Sequence, residues 1–222
     1  MELPSLYQVF DFIGTLAFAI SGTRLAAAKH FDWFGAYVIG VTTAIGGGTL
    51  RDVLLGVTPF WMTAPVYLFF SGIALFWVVV FRKQLVRQNN TWFLFDAIGL
   101  ALFTIAGLEK TLQLGFPYWV AVMMGAMTGA AGGVLRDVLL NNIPLIFKKE
   151  IYAMAAIIGG LCFCACDMIG FQSEVSGIVG GITVLLIRIL AVRYHISLPM
   201  LKDETTTIDD GKQNNQKEKE ED

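Results

Sequence analysis

With 222 residues the chain has room for one or two soluble domains, but 55% hydrophobic against 15% charged residues, at a mean hydropathy of +0.63, exclude them, because a soluble core could not hide so much apolar surface. A polytopic membrane protein is the class that remains. The net charge of −2 divides into a tail from Lys202 to Asp222, with four Lys and eight acidic residues, and a body at +2, so there is no basic surface for nucleic acid.

Apolar runs long enough to cross a hydrocarbon layer of ~30 Å, at about 20 residues each, are expected at 6–28, 34–57, 64–81, 91–108, 117–140, 151–169 and 175–192. The first is preceded by acidic Glu2 rather than a basic segment, so it reads as a span and not as a secretory signal; it carries Asp11 and closes on Arg24 and Lys29, which should be interfacial. The second contains Gly46-Gly47-Gly48-Thr49-Leu50-Arg51-Asp52, preceded by Thr43. After the third come Arg82, Lys83 and Arg87, the fourth carries Asp96 and is followed by Glu109-Lys110, and the fifth contains Thr128 and Gly132-Gly133-Val134-Leu135-Arg136-Asp137. Cys162, Cys164 and Cys166 of the sixth splay about 200° apart on a helix and read as small apolar fillers rather than metal ligands. Gly177 and Gly181 of the seventh, like Gly125 and Gly129 of the fifth, have the small-xxx-small spacing of close helix packing. His30 and His195 stand at span ends without ligand partners nearby in sequence, and the polar tail over 201–222 is expected to be disordered and cytoplasmic.

The chain is duplicated. At a constant offset of 85 residues, Phe10-Asp11 recurs as Phe95-Asp96, Gly14 as Gly99, Gly22 as Gly107, Gly40 as Gly125, Thr43 as Thr128, the Arg-Asp cores as each other, Pro59 as Pro144 and Tyr67 as Tyr152. Each copy holds three spans, an odd number, so the second must enter the membrane from the opposite side. The expected fold is therefore an all-α membrane protein of seven transmembrane helices in one domain over 1–200: repeats at about 5–82 and 90–170 in inverted 3+3 arrangement, plus an extra helix at about 175–195. Lys29, the Arg82 cluster, Lys148-Lys149 and Arg193 share one side, which should be cytoplasmic, with the N-terminus outside and the C-terminus inside. On that orientation the Asn89-Asn90-Thr91 sequon is cytoplasmic and carries no glycan.

Glycines in mid-span cost about 1 kcal/mol each in helix propensity, so the second and fifth helices are expected to kink or break at Gly46, Gly47 and Gly48 and at Gly132 and Gly133, with close helix packing as the alternative. Freed backbone groups survive in a bilayer only when buried in protein or facing water, where carbonyls can meet a cation and amides an anion. Charged residues in a span cost about 2.5–3.5 kcal/mol each on insertion scales and mark a function or a structural ion pair. Inverted copies put Arg51, Asp52 and Asp11 toward one leaflet and Arg136, Asp137 and Asp96 toward the other, a conduit with a charge cluster at each end. The carboxylates would favour cations, and the arginines would position them or block the path. Adjacent Arg and Asp point about 100° apart and should each need a separate partner. Thr43 and Thr128 either back-bond to their own helix or line the path. No Walker, His-Glu-x-x-His or Gly-x-Ser-x-Gly pattern occurs, and the chain does not read as an enzyme.

Two copies of Gly-Gly-x-Leu-Arg-Asp in the second and fifth spans of a 3+3+1 membrane protein resemble the prokaryotic trimeric intracellular cation (TRIC) channel family, also labelled a putative glycine-transporter family, over roughly residues 5–195. The resemblance implies a homotrimer with a hydrophilic pore in each protomer, conducting monovalent cations, chiefly K⁺, with no cofactor or resident metal, in contact with lipid in a prokaryotic plasma membrane. Arg51-Asp52 and Arg136-Asp137 would then fall at polar constrictions. A secondary transporter of glycine or another small amino acid uses the same architecture and stays open as the alternative, and a scaffold without transport is the third.

Overall fold

A computed structural model describes residues 6–81, 91–148, 151–194 and 196, and among these the regular structure is entirely helical. The helices are α1 (Leu6–Ala28), α2 (Trp33–Leu54), a one-turn α3 (Phe60–Thr63), α4 (Val66–Val80), α5 (Thr91–Gln113), α6 (Tyr118–Leu139), a 3₁₀ turn (Leu145–Phe147), α7 (Ala153–Ile169) and α8 (Ser173–Arg193). The seven longer helices fall on the seven apolar runs. The largest departure is α5, which continues to Gln113 and so takes Glu109 and Lys110 into the helix instead of leaving them in a loop. Four helices, α1, α5, α6 and α8, are long and apolar enough by themselves to cross a membrane, while α4 and α7 are shorter apolar helices. The Arg82 cluster, Lys149, His195, the Asn89-Asn90 sequon and the acidic tail lie outside the described residues.

Polarity runs inside out. Phe69, Phe76 and Ile182 are 69%, 70% and 52% exposed, whereas Arg51, Asp52, Asp96, Arg136 and Arg188 are at most 1% exposed. Water would reverse that arrangement, and a hydrocarbon surround accounts for it. Trp33 and Trp119 open α2 and α6 and are each 72% exposed, as interfacial aromatics are.

The duplication is visible as reciprocal contacts. Phe18 packs over Gly99 and Phe103 over Gly14, with the two rings stacked at 5.4 Å between centroids. A Cβ on Gly47 would lie 2.0 Å from the Thr128 carbonyl oxygen, and one on Gly132 would lie 2.3 Å from that of Thr43. Each pair is the other shifted by 85 residues and exchanged, which is the signature of a two-fold axis between antiparallel copies. Around it α1 packs on α5 and α2 on α6, while α4 and α7 flank their own repeats and α8 lies against α5 and α7.

The expected break at the glycines does not occur. Regular α-helix runs through Gly46, Gly47 and Gly48 in α2 and through Gly132 and Gly133 in α6. The glycines make room: at Gly47 and Gly132, where α2 and α6 cross, backbone touches backbone and no side chain fits, while Gly46, Gly48 and Gly133 leave space for the side chains of Leu135, Phe60 and Tyr152. The same use explains Gly125, where a Cβ would be 2.6 Å from the Thr104 carbonyl oxygen, and Gly180, where it would be 2.9 Å from that of Gly159.

Candidate functional site: two buried charge clusters

Both clusters grow out of one local design. Just past Arg51-Asp52, Gly56 takes φ 69° and the Val57 amide bonds back to the Asp52 carbonyl at 2.9 Å; past Arg136-Asp137, Asn141 takes φ 51° and the Asn142 amide reaches the Asp137 carbonyl at 2.8 Å. The helices therefore stop at once, and the chain turns back through Pro59 and Pro144. That turn brings the Phe60 amide to donate to Asp52 Oδ2 at 2.9 Å and the Leu145 amide to Asp137 Oδ2 at 3.1 Å. The other carboxylate oxygen accepts from the adjacent arginine, Arg51 Nε at 2.7 Å and Arg136 Nε at 2.9 Å. Separate partners for neighbouring Arg and Asp were expected. Asp52 and Arg136 have them, in Lys110 and Asp96, but the long arginine side chain also folds back over the carboxylate beside it, so each dyad is internally paired as well.

Beyond this common core the clusters differ. Arg136 Nη1 also donates to Asp96 Oδ1 at 2.5 Å and to Ser21 Oγ at 3.0 Å, so one guanidinium ties α6 to α5 and α1. In the other cluster Lys110 Nζ donates to Asp52 Oδ1 at 2.7 Å. Arg51 lies over the Phe60 ring at 5.7 Å, and its two terminal nitrogens have no hydrogen-bond partner among the described residues. One oxygen of Asp11 is likewise without one, although the residue feels the charges of Arg51, Lys110 and Asp52. Asp11 and Lys110 stand near one end of the antiparallel α1–α5 pair, Ser21 and Asp96 near the other. The predicted set is thus brought together as two groups at opposite ends.

Thr43 and Thr128 lie between the clusters, at the α2–α6 crossing. Each hydroxyl donates to its own helix, Thr43 to the Ile39 carbonyl at 2.7 Å and Thr128 to that of Met124 at 2.6 Å. Gly22 and Gly107 make room for those hydroxyls, since a Cβ there would come within 2.4 and 2.5 Å of them. Asp52, Asp137, Arg51 and Arg136 are 0%, 3%, 1% and 0% exposed, so both dyads are shut off from the surround. A cavity of about 170 Å³ lies to one side, lined by residues of α1, α2 and α4 including Thr23, Asp32 and Trp33.

Four charges have a place in the structure that the sequence did not disclose. Glu109 and Lys110 were expected in a loop, and Glu109 is buried and accepts from the Ser173 hydroxyl. Arg188, on the helix outside the duplication, is fully buried between the rings of Phe93 and Tyr152, 4.8 Å from each centroid. A lone arginine in the seventh apolar run was the signal for it. Arg24, expected at the interface, is 5% exposed.

Known proteins are similar to this chain in sequence and fold. The family model described as glycine transporter matches twice, at residues 8–83 and 93–168, two matches displaced by the same 85 residues as the duplication. The UPF0126 membrane protein of Vibrio cholerae is 41% identical over 205 residues, covering 88% of this chain and 82% of its own; the inner membrane protein YadS of Escherichia coli K12 is 41% identical over 193 residues, covering 85% and 93%. A TRIC trimeric intracellular cation channel orthologue from Rhodobacter sphaeroides superposes with a TM-score of 0.82 at 34% identity, over 86% of this chain and all of that one. This chain belongs to the TRIC family. A prokaryotic TRIC channel crystallised in 0.5 M KCl is similar to it at a TM-score of 0.79 and 33% identity. The Caenorhabditis elegans TRIC channel, 15% identical at a TM-score of 0.58, has the same fold. With these relatives and its apolar exterior, this TRIC-family chain is a membrane protein.

Proposed function

We propose that the chain is a cation channel of a prokaryotic plasma membrane, a homotrimer in which each protomer carries its own path for monovalent cations, K⁺ or Na⁺. The observation that carries this reading is the pair of Arg-Asp clusters, related by two-fold symmetry and buried at opposite ends of a bundle whose exterior is apolar. Seven helices would span the bilayer with the N-terminus outside and the C-terminus in the cytoplasm. The path follows the seam between the repeats, from Asp11, Arg51 and Asp52 past Thr43 and Thr128 to Asp96, Arg136 and Asp137. Opening requires the dyads to unlatch, and the thin crossing at Gly46–Gly48 and Gly132–Gly133 is where α2 and α6 would bend to allow it. The similar solved structures, which are of TRIC cation channels, support the same reading.

A second reading keeps one specific support. The terminal nitrogens of Arg51 are donors for a carboxylate, and the unbonded oxygen of nearby Asp11 is an acceptor for an ammonium group, the two ends of a small zwitterion. The glycine-transporter description of the family model agrees with that chemistry. Planar-bilayer recording of the purified protein under a KCl gradient, with and without glycine, separates the two. Unitary currents reversing near the K⁺ equilibrium potential support the channel. Electrical silence together with saturable glycine uptake into vesicles refutes it in favour of the transporter.

A further inference from the structure

Each cluster contains two carboxylates but only one guanidinium from its own dyad. At the Arg51 end, Asp11 and Asp52 face Arg51, and the second positive charge is Lys110, bonded to Asp52 Oδ1. The position related to Lys110 by the 85-residue offset is Leu25, so the duplication supplies no corresponding cation to Asp96 and Asp137 at the other end. A cation does stand there, and it comes from α8. Arg188 is 0% exposed, its guanidinium sits 4.8 Å from the centroids of both Phe93 and Tyr152, and Nη1 donates to the Ile151 carbonyl at 3.1 Å. Aromatic faces on both sides are a setting in which a desolvated guanidinium keeps its charge.

Tyr152 connects this arginine to the cluster. A Cβ on Gly133 would lie 2.6 Å from the Tyr152 hydroxyl and 3.5 Å from Asp96 Oδ1, so both oxygens flank the same point of α6. The tyrosine lies in the field of Asp96, Arg136, Arg188 and Asp137 together. We propose that Arg188 is the second cation of the Arg136 cluster, a positioning residue through which the helix outside the duplication sets the net charge, and hence the ion selectivity, of that end of the path. This deepens the channel reading and rests on it. Each end then sets two cations beside its two aspartates, one from the dyad and one from a helix packed beside it, while Lys29, bonded to the Leu140 carbonyl, and Glu109, beside Lys110, stand further out at the two ends.

The test compares wild type, Arg188→Gln, Arg188→Lys and Arg188→Gln combined with Leu25→Lys, which returns a cation from the position equivalent to Lys110. Reversal potentials under a KCl gradient give the K⁺/Cl⁻ permeability ratio. Removing the charge in Arg188→Gln should raise that ratio by at least roughly fivefold, the Coulomb effect of one unit charge at about 4 Å when screened as in bulk water. The lysine variant should stay near wild type, and the double variant should return toward it. A folded, conducting Arg188→Gln with wild-type selectivity overturns the proposal, as does an equal change in the Gln and Lys variants, which would mark a packing role. A wild-type protein without current refutes the channel reading instead, and thermal denaturation of the same four proteins then decides the charge pairing. If Arg188→Gln is unstable or fails to fold, recovery on adding Leu25→Lys supports the pairing and no recovery overturns it.

Discussion

Gly47→Ala should destabilise this protein although alanine is the better helix former. The added Cβ would sit 2.0 Å from the Thr128 carbonyl oxygen and 3.3 Å from the Gly132 amide nitrogen. Those atoms are backbone of a continuous helix, so no side chain can swing aside, and α2 and α6 must part by roughly 1.4 Å to restore ordinary contact at 3.4 Å. Overpacking of this kind costs about 1–3 kcal/mol, against a gain of at most ~1 kcal/mol in helix propensity. Gly72→Ala is the control. It changes the same residue type on an apolar helix, but the nearest atom to its new Cβ is Tyr37 Cε2 at 4.0 Å, so the propensity gain stands unopposed. Thermal denaturation in detergent, followed by the loss of monodisperse protein, should show a lower apparent Tm for Gly47→Ala and a rise of about 2–4 °C for Gly72→Ala. In bilayers, a protein whose crossing helices have been forced apart should also open more often. Gly47→Ala as stable as Gly72→Ala would refute the claim that the glycine cores exist for close approach.

The charge clusters yield further expectations. Arg136→Met strands Asp96 and Asp137 in a buried site and should cost about 3–5 kcal/mol, read as a large fall in apparent Tm; adding Asp96→Asn, which removes one stranded charge, should recover part of it. Asp137→Asn keeps the shape of the latch but weakens its hold on Arg136 and on the Leu145 amide, so conductance, selectivity or gating in bilayers should change; unaltered flux in both this variant and Arg136→Ala would remove the dyads from the path. Lys110→Met should perturb conduction more than stability, because the lysine is 31% exposed while Asp52 keeps Arg51 and the Phe60 amide.

Much of the site was legible because charge in an apolar run is conspicuous and a duplication says twice where to look. Arg51-Asp52 and Arg136-Asp137 stand out for that reason, and the odd number of spans per copy implied their placement at opposite ends. Lys110 and Arg188 were harder to read. The local pattern placed Lys110 after a span, and only the continuation of α5 to Gln113 brings it back against Asp52. Arg188 lies 52 residues after Arg136 with no repeat partner to flag it, and its relation to Tyr152 exists only once α8 packs beside α7.

The glycine cores divide the two kinds of information most clearly. Composition, the length of the apolar runs and the 85-residue offset determined by themselves that this is a helical membrane protein with inverted repeats, since the bilayer allows a lone apolar segment few other choices. Propensity correctly marked Gly46–Gly48 and Gly132–Gly133 as costly positions in a helix. What the cost was for only the tertiary structure decided. Propensity describes a helix alone in its solvent, whereas Gly47 and Gly132 answer to the backbone of a second helix 2.0 and 2.3 Å from where their side chains would begin, and contact between segments 85 residues apart has no local signal.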